Sequence, residues 1–105
     1  MDIKPILKEF KQKTAELYGA RLKKILLYGS YARGEANDEH SDIDLAVVLD
    51  GDVGPGKEID RMIDIITDIN LDYDVLLSVY PVSENDYLSV NSPLLLNLRI
   101  EGIPA

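Results

Sequence analysis

The sequence has no cysteine and no tryptophan, a single phenylalanine, Phe10, and a single histidine, His40. Without thiols, disulfides and thiolate-held metals are excluded, and a reducing cytoplasm is the compartment easiest to reconcile with that. One imidazole leaves no basis for a histidine-rich metal site. Long apolar runs are missing as well. Hydrophobic residues make up 46% of the chain but are interspersed with charge, no run approaches the length of a membrane span, and the N-terminus lacks a signal-peptide pattern. The expectation is a soluble cytoplasmic protein without membrane contact.

Positive charge is scarce beyond the first quarter. Residues 1–24 carry seven Lys/Arg against three Asp/Glu, and residues 25–105 carry four against sixteen, so +4 is followed by −12 within a net −8. So acidic a surface repels a phosphate backbone, which argues against direct nucleic-acid binding and favours cations and basic proteins as partners. At 105 residues the expected organisation is one domain over residues 1–105, with a sheet, helices against it and no room for a second module.

Ile3, Ile6, Leu7, Phe10 and Leu17 recur at helical spacing, which predicts a helix over 2–19 with Asp2 as N-cap and Gly19 as its stop. Residues 24–28, KILLY, read as a first buried strand, and 43–50, IDLAVVLD, as a second. The second strand has Ile43, Leu45, Val47 and Leu49 on one face and Asp44, Ala46, Val48 and Asp50 on the other. A loop over 51–56 precedes Ile59, Met62, Ile63, Ile66 and Ile69, which repeat as a helix to about Asn70. A third strand is expected over 71–80, ending at Pro81, then short helices capped by Ser83 and Ser92, with Pro93 in a first turn and Gly102 as terminator. The order suits an α+β fold, a small mixed sheet with helices packed on one face and the other face left for a site.

Gly29-Ser30 falls where a buried strand ends and a one-turn helix can begin. Glycine allows close backbone approach there, Ser30 can cap the turn, and free N–H groups make a phosphate-sized anion site. Taken alone, such a pair is more often an ordinary strand-to-turn junction. Asp42 and Asp44 change the balance. At i and i+2 on a strand they share a face at the start of an otherwise apolar segment, a costly pairing unless a cation neutralises it. Oxygen-only ligands of this kind suit Mg²⁺, which completes its shell with water and substrate phosphates. An isolated Asp-x-Asp is more commonly a solvated turn. The third element is Asp74, expected on the third strand and facing with Asp72, Leu76, Ser78 and Tyr80. An adjacent strand would bring it beside Asp42 and Asp44, where three carboxylates could hold two metals about 3.5–4 Å apart, and Asp74 could orient or deprotonate an acceptor hydroxyl. A turn contact by a strand-start aspartate fits Asp72 equally well.

With Gly29-Ser30-Tyr31-Ala32-Arg33-Gly34-Glu35-Ala36, Ser41-Asp42-Ile43-Asp44-Leu45 and the later Asp74, the chain resembles the minimal nucleotidyltransferase (MNT) family of the DNA polymerase β-like superfamily. The likeness runs over nearly the whole chain, including the stretch from Ser92-Pro93-Leu94 to Glu101-Gly102. One departure is an eleven-residue gap between Ser30 and Asp42, one longer than is commonest in the family, with the extra residue in the loop around Asn37 to His40. The resemblance implies phosphate contact by Gly29 and Ser30, metal coordination by Asp42 and Asp44, completion of the site by Asp74, and Arg33 steadying the loop or reaching a phosphate. It implies Mg²⁺-dependent transfer of a nucleoside monophosphate, usually from ATP, to a hydroxyl. It also implies pairing with a HEPN protein in a toxin–antitoxin module, in which the MNT protein is the antitoxin and in some pairs adenylylates a toxin tyrosine. Two readings compete with this one: silencing of the partner by occlusion without turnover, and transfer to a small molecule, for which one domain lacks an acceptor wall unless an oligomer supplies it. A homo- or hetero-oligomer is compatible with either.

Lesser features divide the same way. Asp60, Asp64 and Asp68 form an acidic stripe, which reads as a solvated face before it reads as a dock for a basic partner. Arg21, Lys23 and Lys24 could guide a triphosphate or simply face solvent. His40 is expected in an exposed loop without catalytic duty, Tyr28 in packing, and Tyr31 partly exposed.

Overall fold

The computed structural model describes residues 2–37 and 42–105. Helix α1, Lys4–Tyr18, buries Ile6, Phe10, Thr14 and Tyr18 at four-residue intervals, the single stripe by which a surface helix is fixed to its core. The N-cap is Ile3, one residue later than expected, and the Asp2 carboxylate accepts the Lys4 N–H at 3.0 Å, satisfying one of the open first-turn donors from outside the cap. Gly19, at φ 54°, ends the helix. A single 3-10 turn leads into β1, Leu22–Tyr28, followed by α2, Gly29–Arg33, and β2, Ile43–Leu49. Then come α3, Pro55–Tyr73; β3, Leu77–Ser83; α4, Glu84–Ser89; α5, Pro93–Glu101; and β4, Ile103–Pro104, a short strand that the sequence did not announce.

The sheet has the order β3-β2-β1-β4. β1 is antiparallel to β2 and to β4, whereas β2 and β3 run parallel. A parallel pair needs a crossover, and α3 supplies it. The α+β mixed sheet is therefore as expected. Ser83 accepts the Asp86 N–H at 3.1 Å and Ser92 the Leu95 N–H at 3.2 Å, so both serine caps form.

Ile43, Leu45, Val47 and Leu49 share one face as expected and pack with Ile25, Leu27, α1 and α3 in the larger core. The opposite face differs from expectation. Leu26, Ala46, Val48 and Val82 form a second core with Tyr87 of α4 and Leu95 and Leu98 of α5, so helices cover both sides of the sheet. Ala46 and Val48 are apolar enough to bury, but standing between Asp44 and Asp50 they conceal the pattern. The end of this face carrying Tyr28, Asp44 and Ser78 is covered less completely.

The third strand also starts later than expected. Residues 71–73 continue α3, because Ile66, Ile69 and Tyr73 keep the helical period. Asp74 then turns the chain at φ 52°. The Asn70 carbonyl accepts the Val75 N–H at 3.2 Å and the Asn70 side chain accepts the Leu77 N–H at 2.9 Å, which closes the turn and starts β3. Pro81 lies inside β3 instead of ending it, as tolerated on an edge strand.

Candidate active site

Because β1 and β2 are antiparallel, the end of one lies beside the start of the other, and Tyr28 is the register partner of Asp44. Helix α2 grows directly from the end of β1, which presses its first turn against Asp44. Gly29 has φ 73°, and a methyl group there would overlap Asp44 Oδ2 and come within 3.0 Å of its Cγ. Glycine is thus required twice at this position, for the left-handed backbone and for the space the carboxylate takes.

Asp42 is exposed and Asp44 half-buried, and their i, i+2 spacing turns both toward the same face. The Asp44 carboxyl is raised above its ordinary range, first by burial and then by the negative charge of Asp42, with Arg33 pulling the other way. Two carboxylates that repel each other beside a backbone cradle meet the requirements of a site for a hard cation.

The nucleotidyltransferase domain profile matches residues 7–92. The chain belongs to the nucleotidyltransferase family. Two proteins of Methanocaldococcus jannaschii, each bearing the name "Putative protein adenylyltransferase", are 40% identical over 84 residues and 37% identical over 78 residues. These matches cover 80% and 74% of this chain and 77% of each relative. The crystal structure of a toxin–antitoxin with AMP-PNP superposes with a TM-score of 0.65 at 18% identity, over 99% of this chain and 72% of that one. A mutant of the toxin–antitoxin MntA-HpeT superposes with a TM-score of 0.61 at 16% identity, over 99% and 71%. The nucleotidyltransferase family and the shared fold agree with the Gly29-Ser30 and Asp42-Ile43-Asp44 motifs.

Ser30 and Asp74 depart from what was expected of them, whereas Arg33 steadies its loop, one of its two expected roles. Ser30 lies inside the first turn of α2, after an N-cap at Tyr28 that makes no side-chain cap bond, and its carbonyl accepts the Glu35 N–H at 2.9 Å. Arg33 meets Glu35 at 3.0 Å and Glu101 at 3.6 Å, which steadies the segment after α2 and ties it to the end of α5. Asp74 is not on the strand. It is the C-cap of α3, and the β3 residue in register with Asp44 is Ser78. Among the described residues no group of three or more His, Asp or Glu side chains could hold a metal ion. Asp42, Asp44 and Asp74 do not form such a group.

Arg21, Lys23 and Lys24 sit at the start of β1, the end away from Gly29. Arg21 donates to the carbonyls of Asp50 and Asp52 at 3.0 Å, and Lys24 stands 5.6 Å from the centroid of the Tyr87 ring, so neither serves the site. Asp60, Asp64 and Asp68 are exposed along α3, as for a solvated face. His40 and Ser41 lie outside the described residues. Sequence reasoning passed over Glu58, which is buried at 2% exposure. It accepts the Tyr18 hydroxyl at 2.9 Å and lies 3.6 Å from Arg21 and 3.8 Å from Arg61. Its position in the first turn of a helix gave no signal, since acidic residues are common there.

Proposed function

We propose that this nucleotidyltransferase transfers AMP from ATP to a hydroxyl of a partner protein, a tyrosine of a HEPN-type toxin, and acts as its antitoxin. The observation that carries the reading is the Gly29–Asp44 contact with Asp42 on the same face, a cradle that only glycine leaves open. The names of the Methanocaldococcus relatives support a protein acceptor, and the toxin–antitoxin structures that share the fold support the choice of partner.

In this reading Asp42 and Asp44 hold Mg²⁺, which when bound would neutralise the triphosphate and draw charge from the phosphorus under attack. Gly29, lacking a side chain, lets the triphosphate approach the backbone of α2, with the Ser30 hydroxyl beside it. Arg33 holds the following segment in place through Glu35 and Glu101. The acceptor hydroxyl oxygen bonds to the α-phosphorus as the bond from that phosphorus to the bridging oxygen breaks, and the hydroxyl proton passes to solvent, so AMP stays on the acceptor and pyrophosphate leaves. Asp74 has no metal contact in this proposal, given its place at the C-cap of α3.

The test is incubation of the protein with α-labelled ATP, Mg²⁺ and a HEPN partner. Label should enter the partner with the wild type and not with the Asp42→Asn/Asp44→Asn double variant. Equal labelling by both would refute the enzymatic assignment. Full neutralisation of the toxin by the unreactive double variant would move the antitoxin effect to occlusion.

A further inference from the structure

We infer that Leu76, Ser78 and Tyr80 form the side of the site at which the acceptor docks, an inference that rests on the transfer reading above. The two flanks of Asp44 are unlike. On the β1 side stand its register partner Tyr28 and the first turn of α2, pressed so close that position 29 has no room for a side chain. On the β3 side the register partner is Ser78, which is exposed and, with adjacent strands about 5 Å apart, lies next to the carboxylate. Its hydroxyl has no hydrogen-bond partner among the described residues. The two-residue period of a strand puts Leu76 and Tyr80 on the same face as Ser78. Tyr80 is in register with Ala46 and packs against the second core. The Leu76 carbonyl accepts the Ile43 N–H at 2.9 Å, which holds this residue beside β2, yet it is 56% exposed. Beside the two aspartates, this face therefore presents an apolar side chain at its outer end, a hydroxyl in the middle and a half-buried ring at its inner end.

In-line displacement decides which flank receives which group, because attacking and leaving oxygens stand on opposite sides of the phosphorus. With the triphosphate over Gly29 and Ser30, pyrophosphate leaves on the α2 side. The acceptor oxygen then arrives from the β3 side, beside Ser78. There the Ser78 hydroxyl accepts the acceptor's O–H and holds that oxygen in line until its proton passes to solvent and the bond to phosphorus forms. The neighbouring side chains select the class of acceptor. Leu76 lies about 7 Å along the strand from Ser78, which suits the ring of a phenol whose oxygen reaches the serine. A tyrosine combines such an apolar body with a polar tip, whereas an aliphatic hydroxyl would leave the Leu76 wall unused.

The test measures transfer from α-labelled ATP to the HEPN partner, varying partner and ATP in turn. Leu76→Ser and Ser78→Ala should each raise the KM for the partner roughly fivefold, as for one lost contact or hydrogen bond, and leave the KM for ATP unchanged. Leu76→Met and Ser78→Thr, which keep the apolar wall and the hydroxyl, should retain the wild-type KM, as should Leu71→Ser at an exposed leucine of α3. N-acetyltyrosinamide should inhibit in competition with the partner and not with ATP, N-acetylserinamide should not inhibit, and the Leu76→Ser/Ser78→Ala variant should escape inhibition. An unchanged partner KM in that double variant, or equal inhibition by the two amides, would overturn the inference and leave the transfer reading standing. A raised KM for ATP in place of the partner would assign these residues to the nucleotide and likewise overturn it. Absence of labelling by the wild type would refute the transfer reading, and the inference with it.

Discussion

A side chain at position 29 would meet the Asp44 carboxylate and would have to adopt a left-handed backbone. Gly29→Ala is therefore expected to cost about 1–2 kcal/mol from the backbone alone and to displace Asp44. Transfer should fall at least a hundredfold, and urea unfolding should show the stability loss. Asp44 itself works against the fold. Its folded-state pKa is raised by burial and by Asp42, so its contribution to stability is fully present below the ordinary value near 3.8 and is lost as pH rises through the raised value. Asp44→Asn should consequently raise the Tm at pH 7 by a few degrees, on the order expected for a domain of this size, while abolishing transfer. The gain should shrink toward pH 3, and a Tm for Asp44→Asn below wild type at pH 7 would contradict this account. Both aspartates and the glycine were legible in the sequence, because the two-residue period of a strand places i and i+2 together. The reason for the glycine was not legible, since it is a contact between segments separated by a loop.

Helix α3 runs longer than its apolar repeat suggested, and the difference decides the role of Asp74. Asparagine tolerates the left-handed conformation that Asp74 adopts, so Asp74→Asn should leave both the Tm and the transfer rate within a few-fold of wild type. A hundredfold loss of transfer with an unchanged Tm would bring the third carboxylate back. The sequence placed Asp74 on a strand because Tyr73, Val75, Leu77 and Val79 alternate perfectly well. The Asn70 bonds to Val75 and Leu77, which end the helix and delay the strand, depend on a side-chain conformation that alternation does not reveal. Helices α1 and α3 are joined by Glu58 and Tyr18, residues 40 positions apart. Glu58→Ala should cost roughly 3 kcal/mol, the lower end for breaking a buried ion pair, because Arg21 and Arg61 are partly solvated and keep water when it is lost. Burial, with the Glu58 carboxylate beside it, pushes the Tyr18 phenol up to about 12. Its stabilisation is therefore complete below pH 10 and is lost as pH rises toward 12. In the difference between wild type and Tyr18→Phe, that loss should appear only above pH 10.

The two-sided core shows where reading the chain in segments ran out. The larger core was visible in the repeats of the first helix, the second strand and α3. The smaller one draws on Ala46 and Val48, on the three-residue step between α4 and α5, and on a two-residue strand, none of which carries a periodic signal of its own. What this second core leaves uncovered is the end of the sheet where Tyr28, Asp44 and Ser78 meet. Charge follows the same division, with cationic side chains at the start of β1 and along α1, and acidic ones at the start of β2 and along α3. Among the described residues no helix is long and apolar enough to cross a membrane. In the proposed reading, a nucleotide and its cation enter where the end of β1 meets the start of β2. The most direct measurement is a crystal structure of the protein with AMP-PNP and Mn²⁺, read by anomalous scattering at the manganese edge. An anomalous peak shared by the Asp42 and Asp44 carboxylates, with the triphosphate over Gly29 and Ser30, is the predicted result. Bound nucleotide with its Mn²⁺ away from both aspartates would contradict it.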